Sequence, residues 1–245
     1  MPPRSLKPVG VALLDKPAGP SSFALVADLR RRTGARTGHT GTLDPFATGL
    51  LVLLSGAATR LAPCFVGLDK RYITDVDLTA TTSTGDVEGE TGEPHSPPVR
   101  DELDAALERL RGEVELPIPA ASAVRIGGER DYKLARRGVT VEMPLRRSFV
   151  YALDVIAYTG SAVRLELHVS SGTYVRAIAE ALGGHCTSLR RTTVGPFRVD
   201  EAHVVESSAE RLLAVSDVLA RLPEDALARV PDGIRTAVLE LEAAA

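Results

Sequence analysis

The sequence predicts an α+β fold with a central mixed or antiparallel sheet flanked by helices and loops. Strand-like segments follow one another directly at Phe149 to Tyr158 and Val163 to Val169, and helical periodicity is confined to stretches between such groups. The regular strand–helix alternation of a doubly wound sheet does not occur. With 245 residues, the chain can hold one large or two modest domains and bury a substantial core. It contains no internal repeat.

Each element has its own local reason. Ser22 is expected to N-cap a helix running through Arg32, with Phe23, Val26 and Leu29 on one side and Gly34 as its stop. Leu50 to Leu54 is an unbroken apolar run and reads as a buried strand. From Arg71 to Leu78 the residues alternate, with Tyr72, Thr74, Val76 and Leu78 on one face and Asp75 and Asp77 on the other. Residues 81–98 are polar and rich in glycine and proline, and read as a long loop. Val99 to Arg111 carries Val99, Leu103, Ala106, Leu107 and Leu110 at helical spacing. Thr159-Gly160-Ser161 joins the two following strands as a hairpin. Tyr174 to Leu182 reads as a helix closed by Gly183-Gly184, residues 206–230 as helices, and Thr236 to Ala245 as a simple alanine-rich ending.

Composition is that of an ordinary globular protein, 44% hydrophobic and 25% charged. Cys64 and Cys186 lie far apart with no CxxC spacing, so neither a disulfide framework nor a zinc site is indicated. There is no apolar run long enough to span a membrane and no secretory signal pattern, so a soluble, cytoplasmic protein is expected. The net charge of −3 is unevenly placed. Arg30, Arg31, Arg32, Arg36, Arg60, Lys70 and Arg71 cluster in the first third, and Arg146, Arg147, Arg190, Arg191 and Arg198 come later. Such local patches can bind phosphates under a negative total, because distant charges are screened.

The segment Gly38-His39-Thr40-Gly41-Thr42-Leu43-Asp44-Pro45-Phe46-Ala47-Thr48-Gly49 concentrates the chemistry. Its glycines permit close backbone approach, and Pro45 keeps Asp44 out of the helical region. It reads as a stiff loop on a rigid strand, presenting His39 and Asp44 to something large. For an isolated Asp-Pro the plainer reading is an Asx-turn.

This segment resembles the signature of the tRNA pseudouridine synthase B (TruB) family, and further blocks agree in order. They are Leu14-Asp15-Lys16-Pro17-Ala18-Gly19-Pro20-Ser21-Ser22, Asp69-Lys70-Arg71-Tyr72, Ser122-Ala123 with Arg136-Arg137-Gly138, Ser171-Gly172-Thr173-Tyr174-Val175-Arg176, and Leu189-Arg190-Arg191. The resemblance implies a pseudouridine synthase fold over residues 1–205, with insertion segments at about 81–98 and 120–147. Residues 206–245 are expected as a short helical C-terminal segment. The PUA-type RNA-binding domain that family members commonly carry is expected to be absent or vestigial, with weaker tRNA affinity as the consequence. Where many members have a large residue before the Ser-Ala pair, this chain has Ala121.

The resemblance further implies isomerisation of uridine to pseudouridine at position 55 in the T loop of tRNA, with base flipping and an essential aspartate. That chemistry breaks the N1 glycosidic bond, rotates the base and rejoins it through C5, so no cofactor, metal or redox change is expected. By the same resemblance Asp44 is the catalytic aspartate, Arg176 its partner and Tyr72 the ring that stacks on the flipped uracil. A Thr173-capped helix would put Arg176 in its first turn, where the dipole disfavours a cation; a buried carboxylate partner would outweigh that cost, and the equally good plain reading is an exposed arginine off the helix. His39 matches the histidine pushed into the RNA, Leu189 the apolar contact beside the uracil, and Tyr174 the floor of the base pocket. Lys16 is expected to support the loop or meet a phosphate. Thr42 and Arg71 complete the expected substrate-binding set.

Two other readings remain on the sequence alone. A tRNA-binding folding chaperone with little or no catalysis would not need Asp44, Tyr72 and Arg176 together. An aspartate-dependent hydrolase would want a second acid or a metal site, and none is obvious. No Gly-Lys-Ser/Thr follows a glycine loop, so nucleotide hydrolysis is not indicated. A monomer is expected. Segments 81–98 and 120–147 are the candidates for closing over the RNA.

Overall fold

A computed structural model describes residues 7–119, 122, 125–126, 129–130, 143–204 and 211–245. The chain divides into two units, Met1–Arg71 with Arg190–Ala245, and Tyr72–Leu189. This division does not follow the expected boundary near residue 205. Most of segment 120–147, including the Arg136-Arg137-Gly138 block, lies outside the described residues. The fold class is α+β, as expected.

The first unit is built on β3 (Thr48–Ser55), in which Leu50 to Leu54 are at most 1% exposed. A strand buried on both faces needs no alternation, which explains the continuous apolar run. β1 (Gly10–Lys16) lies antiparallel to it from Gly10↔Ser55 to Lys16↔Gly49. β2 (Thr37–His39) pairs antiparallel with the end of β3, and the C-terminal half of β10 (His185–Val194) pairs parallel with its start through Arg190↔Thr48 and Arg191↔Gly49. A short strand, β11 (Phe197–Arg198), returns against β10.

Helix α1 (Ser22–Thr33) differs from expectation in its cap. Ser21, not Ser22, accepts the Ala24 N–H, and Gly34 closes the helix in the left-handed conformation at φ 64°. Leu25, Val26 and Leu29 are buried, and Phe23 is turned out to solvent.

The C-terminal residues are part of this unit's core. Helices Val215–Leu219, Glu224–Leu227 and Asp232–Ala243 contribute Val215, Val218, Ala226 and Val238 to one cluster with Val11, Leu13, Leu50, Phe65 and Phe197. Leu213 exchanges backbone hydrogen bonds with Val11, and Glu242 accepts from the Val215 N–H. Thr236 to Ala245 is therefore not a plain ending. Its helix buries Val238 completely, a side chain worth about 1.5–3 kcal/mol of transfer free energy.

In the second unit the strand order is β10, β4 (Lys70–Asp77), β9 (Ala162–Val169), β8 (Leu145–Tyr158) and β5 (Gly112–Pro117). Tyr72, Thr74 and Val76 of β4 are buried and the residues between them half-buried, which is the alternation the sequence shows. β8 and β9 form the expected hairpin, with Thr159 N–H donating to Ala162 O and Gly160 at φ 92°. Arg125–Ile126 and Glu129–Arg130 pair as a separate ribbon, β6 and β7. Helix α2 (Arg100–Arg109) buries Leu103 and Leu107, and Val99 is its exposed N-cap rather than part of the stripe.

The segment 81–98 is more ordered than a plain loop. Asp86 Oδ1 accepts from the Thr84 hydroxyl and the Glu88 N–H, and Gly85 O accepts from Cys186 N–H. Gly85 and Asp86 are thereby tied to β10 at Cys186.

Candidate active site

In the first unit, the loop after His39 is held by side chains that donate to main-chain carbonyls. Lys16 is completely buried, and its Nζ donates to Pro17 O, Pro45 O and Ala47 O at 2.9, 3.0 and 2.6 Å. Its ammonium is turned to these carbonyls and has no exposed surface. Arg191 is 2% exposed and donates to Leu50 O, Thr42 O and Gly41 O. The Ser22 hydroxyl donates to Leu43 O and accepts from Leu43 N–H, each at 2.8 Å, and Gly19 N–H donates to Pro45 O. A loop with no regular ladder must satisfy its carbonyls somehow, and here buried cations do so.

Asp44 sits in this frame half-buried, its carbonyl accepting from Ala47 N–H. Thr42 and Arg71 are exposed. His39 is half-buried with its Nδ1 out of solvent and without a hydrogen-bond partner. Burial, and secondarily the Arg191 charge, lower its pKa below the usual histidine value, which favours the neutral imidazole. Lys70, 5% exposed, donates to Val66 O and Leu68 O, and burial together with Arg191 brings its pKa down to about 8.

Gly49 makes the arrangement possible. Its φ is 100°, and a Cβ there would lie 2.2 Å from Arg191 O. The parallel pairing that places Arg191 under the loop requires glycine at this position.

In the second unit, Arg176 is 2% exposed at the start of helix Val175–Ala181. Its N-cap is Tyr174 with no side-chain bond, whereas Thr173, the expected cap, donates instead to Ser170 O. Arg176 is in the first turn, as expected. Its Nη1 donates to Thr84 O at 2.6 Å and lies 3.4 Å from Asp86 Oδ2. Glu180 is one turn further on; burial raises its carboxyl pKa, partly offset by Arg176. Gly85, at φ 73°, lets the chain pass this cluster, since a Cβ there would meet Glu180 Oε1 at 2.8 Å. Tyr72 and Leu189 are 7% and 6% exposed on the neighbouring strands β4 and β10, and Tyr174 is half-buried.

Asp86, the buried acid beside Arg176, is not singled out by the sequence. Its only signal is indirect: Arg176 lies in the apolar run Val175-Arg176-Ala177-Ile178-Ala179, which demands a buried acceptor without saying where it is. The basic clusters also divide. Arg190 forms a two-pronged pair with Asp15, and Arg191 and Lys70 are buried, so none of these three is the open phosphate contact expected of it.

An α+β sheet of this order, with an aspartate on a pinned glycine-rich loop, has clear relatives. Residues 30–175 match the TruB family pseudouridylate synthase N-terminal domain. The tRNA pseudouridine synthase B of Chromohalobacter salexigens is 43% identical over 231 residues, covering 87% of this chain and 75% of that protein. That of Mycobacterium sp. (strain KMS) is 41% identical over 214 residues, covering 82% and 72%. Among solved structures, a Cbf5-Nop10-Gar1 complex superposes with a TM-score of 0.64 at 27% identity, covering 86% of this chain. An archaeal box H/ACA Nop10-Cbf5 complex matches in fold with a TM-score of 0.60 over 98% of it. The chain spans 56% and 64% of the length of those two structures. It belongs to the TruB family of pseudouridylate synthases.

Proposed function

We propose that this protein isomerises uridine to pseudouridine in tRNA, at position 55 of the T loop, with Asp44 as the essential carboxylate. The observation that carries the reading is the frame around Asp44: Lys16, Ser22 and Arg191 hold the loop's main chain from Gly41 to Ala47 from below. A carboxylate on such a support keeps its orientation while a flipped nucleotide is brought to it.

The reaction is an isomerisation, so atoms balance within the substrate. The C1′–N1 bond breaks with help from the Asp44 carboxylate, the uracil turns, a C5–C1′ bond forms, and the C5 proton leaves while N1 gains one. Tyr72 is assigned to the face of the uracil and to the C5 step, with Leu189 and Tyr174 beside the ring. Arg176 is assigned to the anionic centre, its direction set by Thr84 O and Asp86. His39, kept neutral, is assigned to the gap that the flipped base leaves, where a neutral ring stacks without adding charge.

The test uses unmodified tRNA transcript, the purified chain with no added metal or nucleotide, and Asp44→Asn. Carbodiimide-blocked primer extension reads the modified position. A stop at the T-loop uridine with wild type and none with the variant is expected. Tight binding without product from wild type would replace this reading with a tRNA-folding role.

A further inference from the structure

We propose that the outward face of α1 is a docking rail for the backbone of the substrate RNA, with Phe23 against a nucleotide and Arg30 on a phosphate. This rests on the RNA-modifying reading above and adds a contact surface to it.

The helix begins at the candidate catalytic loop. Ser22 faces inward and exchanges two hydrogen bonds with Leu43, the residue before Asp44. Its neighbour Phe23 therefore faces outward, and at 73% exposure it is the most exposed large hydrophobic side chain among the described residues. A phenylalanine left in water forgoes the favourable transfer of its ring out of solvent, so its position invites an occupant.

The rest of that face is basic and open. Ala27 and Arg30 follow Phe23 at i+4 and i+7, on the same side of the helix and about 10.5 Å along it for Arg30. Ala24 and Ala27 are exposed and small, so nothing rises between the ring and the guanidinium. Leu25 and Leu29 are buried on the other side, and Val26, next to the rail, is buried at its edge. Asp28, the helix's one acidic residue, is taken by Arg31 and Arg32. No carboxylate pairs with Arg30 or with the exposed Arg36 among the described residues.

Complementing the helix dipole accounts for cations in the last turn. It accounts neither for an exposed ring in the first turn nor for Arg36 beyond Gly34. An accessible aromatic ring in line with unneutralised arginines is the chemistry of a nucleic-acid strand, where bases offer π faces and phosphates offer charge. The rail starts where the target nucleotide would enter, so the strand carrying that nucleotide is the occupant.

The experiment compares wild type with Phe23→Ala, Phe23→Trp, Arg30→Glu and Arg30→Lys, using unmodified tRNA transcript as the probe. Dissociation constants are measured across a salt series from about 50 to 200 mM, and KM and kcat for pseudouridine formation at one salt. Arg30→Glu should weaken binding about tenfold and reduce the salt slope by about one, with Arg30→Lys close to wild type. Phe23→Ala should raise KM about fivefold with kcat within about twofold, and Phe23→Trp should restore it. Thermal midpoints, expected unchanged at these exposed positions, separate a lost contact from a lost fold. Wild-type KM, affinity and salt slope in Phe23→Ala and Arg30→Glu would overturn the rail while leaving the synthase reading intact. No product from wild type, with binding still weakened in the variants, would overturn the synthase reading and leave the rail.

Discussion

Arg176 and Asp86 form an ion pair with side chains only 3% and 4% exposed, the guanidinium Nη1 lying 3.4 Å from Oδ2 and also donating to Thr84 O. Ninety positions of sequence separate the two residues. Removing one member of such a pair leaves the other charged in a poor solvent. Asp86→Ala should therefore cost about 2–4 kcal/mol of stability, more than the isosteric Asp86→Asn, which keeps an acceptor for the guanidinium. Denaturant midpoints check the order. A single-turnover rate that falls in Asp86→Asn with RNA affinity retained would place its effect on the chemistry.

Gly49 and Gly38 bracket the Asp44 loop and should respond very unequally to alanine. Gly49 has φ 100°, with a Cβ 2.2 Å from Arg191 O, whereas a Cβ at Gly38 meets nothing within 4 Å. Gly49→Ala combines strain with overpacking and should lose about 3 kcal/mol or more. Gly38→Ala should stay within about 0.5 kcal/mol of wild type. Equal midpoints for the two variants would contradict the close approach of β10 to β3.

Lys70 makes a pH-dependent contribution of definite sign. Its pKa falls from 10.5 in the unfolded chain to about 8 in the fold, chiefly through burial. Between those values the unfolded chain holds the proton and the folded chain does not, so stability rises with pH across that window. Below about pH 8 both states are charged and the full cost of burying the ammonium is felt. Lys70→Met removes this term. The stability of wild type relative to the variant should grow between pH 8 and 10.5, by up to about 3 kcal/mol. A flat difference across that range would show that Lys70 is not titrating there.

His39 should titrate below the usual histidine value of 6.5, because burial first and Arg191 second disfavour its cation. The unfolded chain then takes up the proton before the folded one does, so this residue makes the fold less stable as pH drops through 6.5. Imidazole resonances followed by NMR give the midpoint directly. A midpoint at or above 6.5 would contradict both the burial and the Arg191 contribution.

What the sequence determined by itself was local. The apolar run of β3, the alternation of β4, the hairpin at Gly160 and the Asp-Pro loop each follow from spacing and backbone preference among near neighbours. The Asp44 block was legible for the same reason, since glycines and a proline around one carboxylate constrain the chain in place.

Tertiary structure decided who meets whom. Lys16 was visible as a motif residue, but not that its ammonium would be sealed beneath Pro45 and Ala47, since a main-chain carbonyl has no residue type to mark it as an acceptor. The cap of α1 falls on Ser21, while the Ser22 hydroxyl is claimed by Leu43 and Phe23 lies exposed. Asp86 became the partner of Arg176 only because Gly85 lets the chain pass Glu180 and because Gly85 O is tied to Cys186. Such long-range pairings are set by how strands β4 and β10 bring distant segments together, and local propensity carries no record of them.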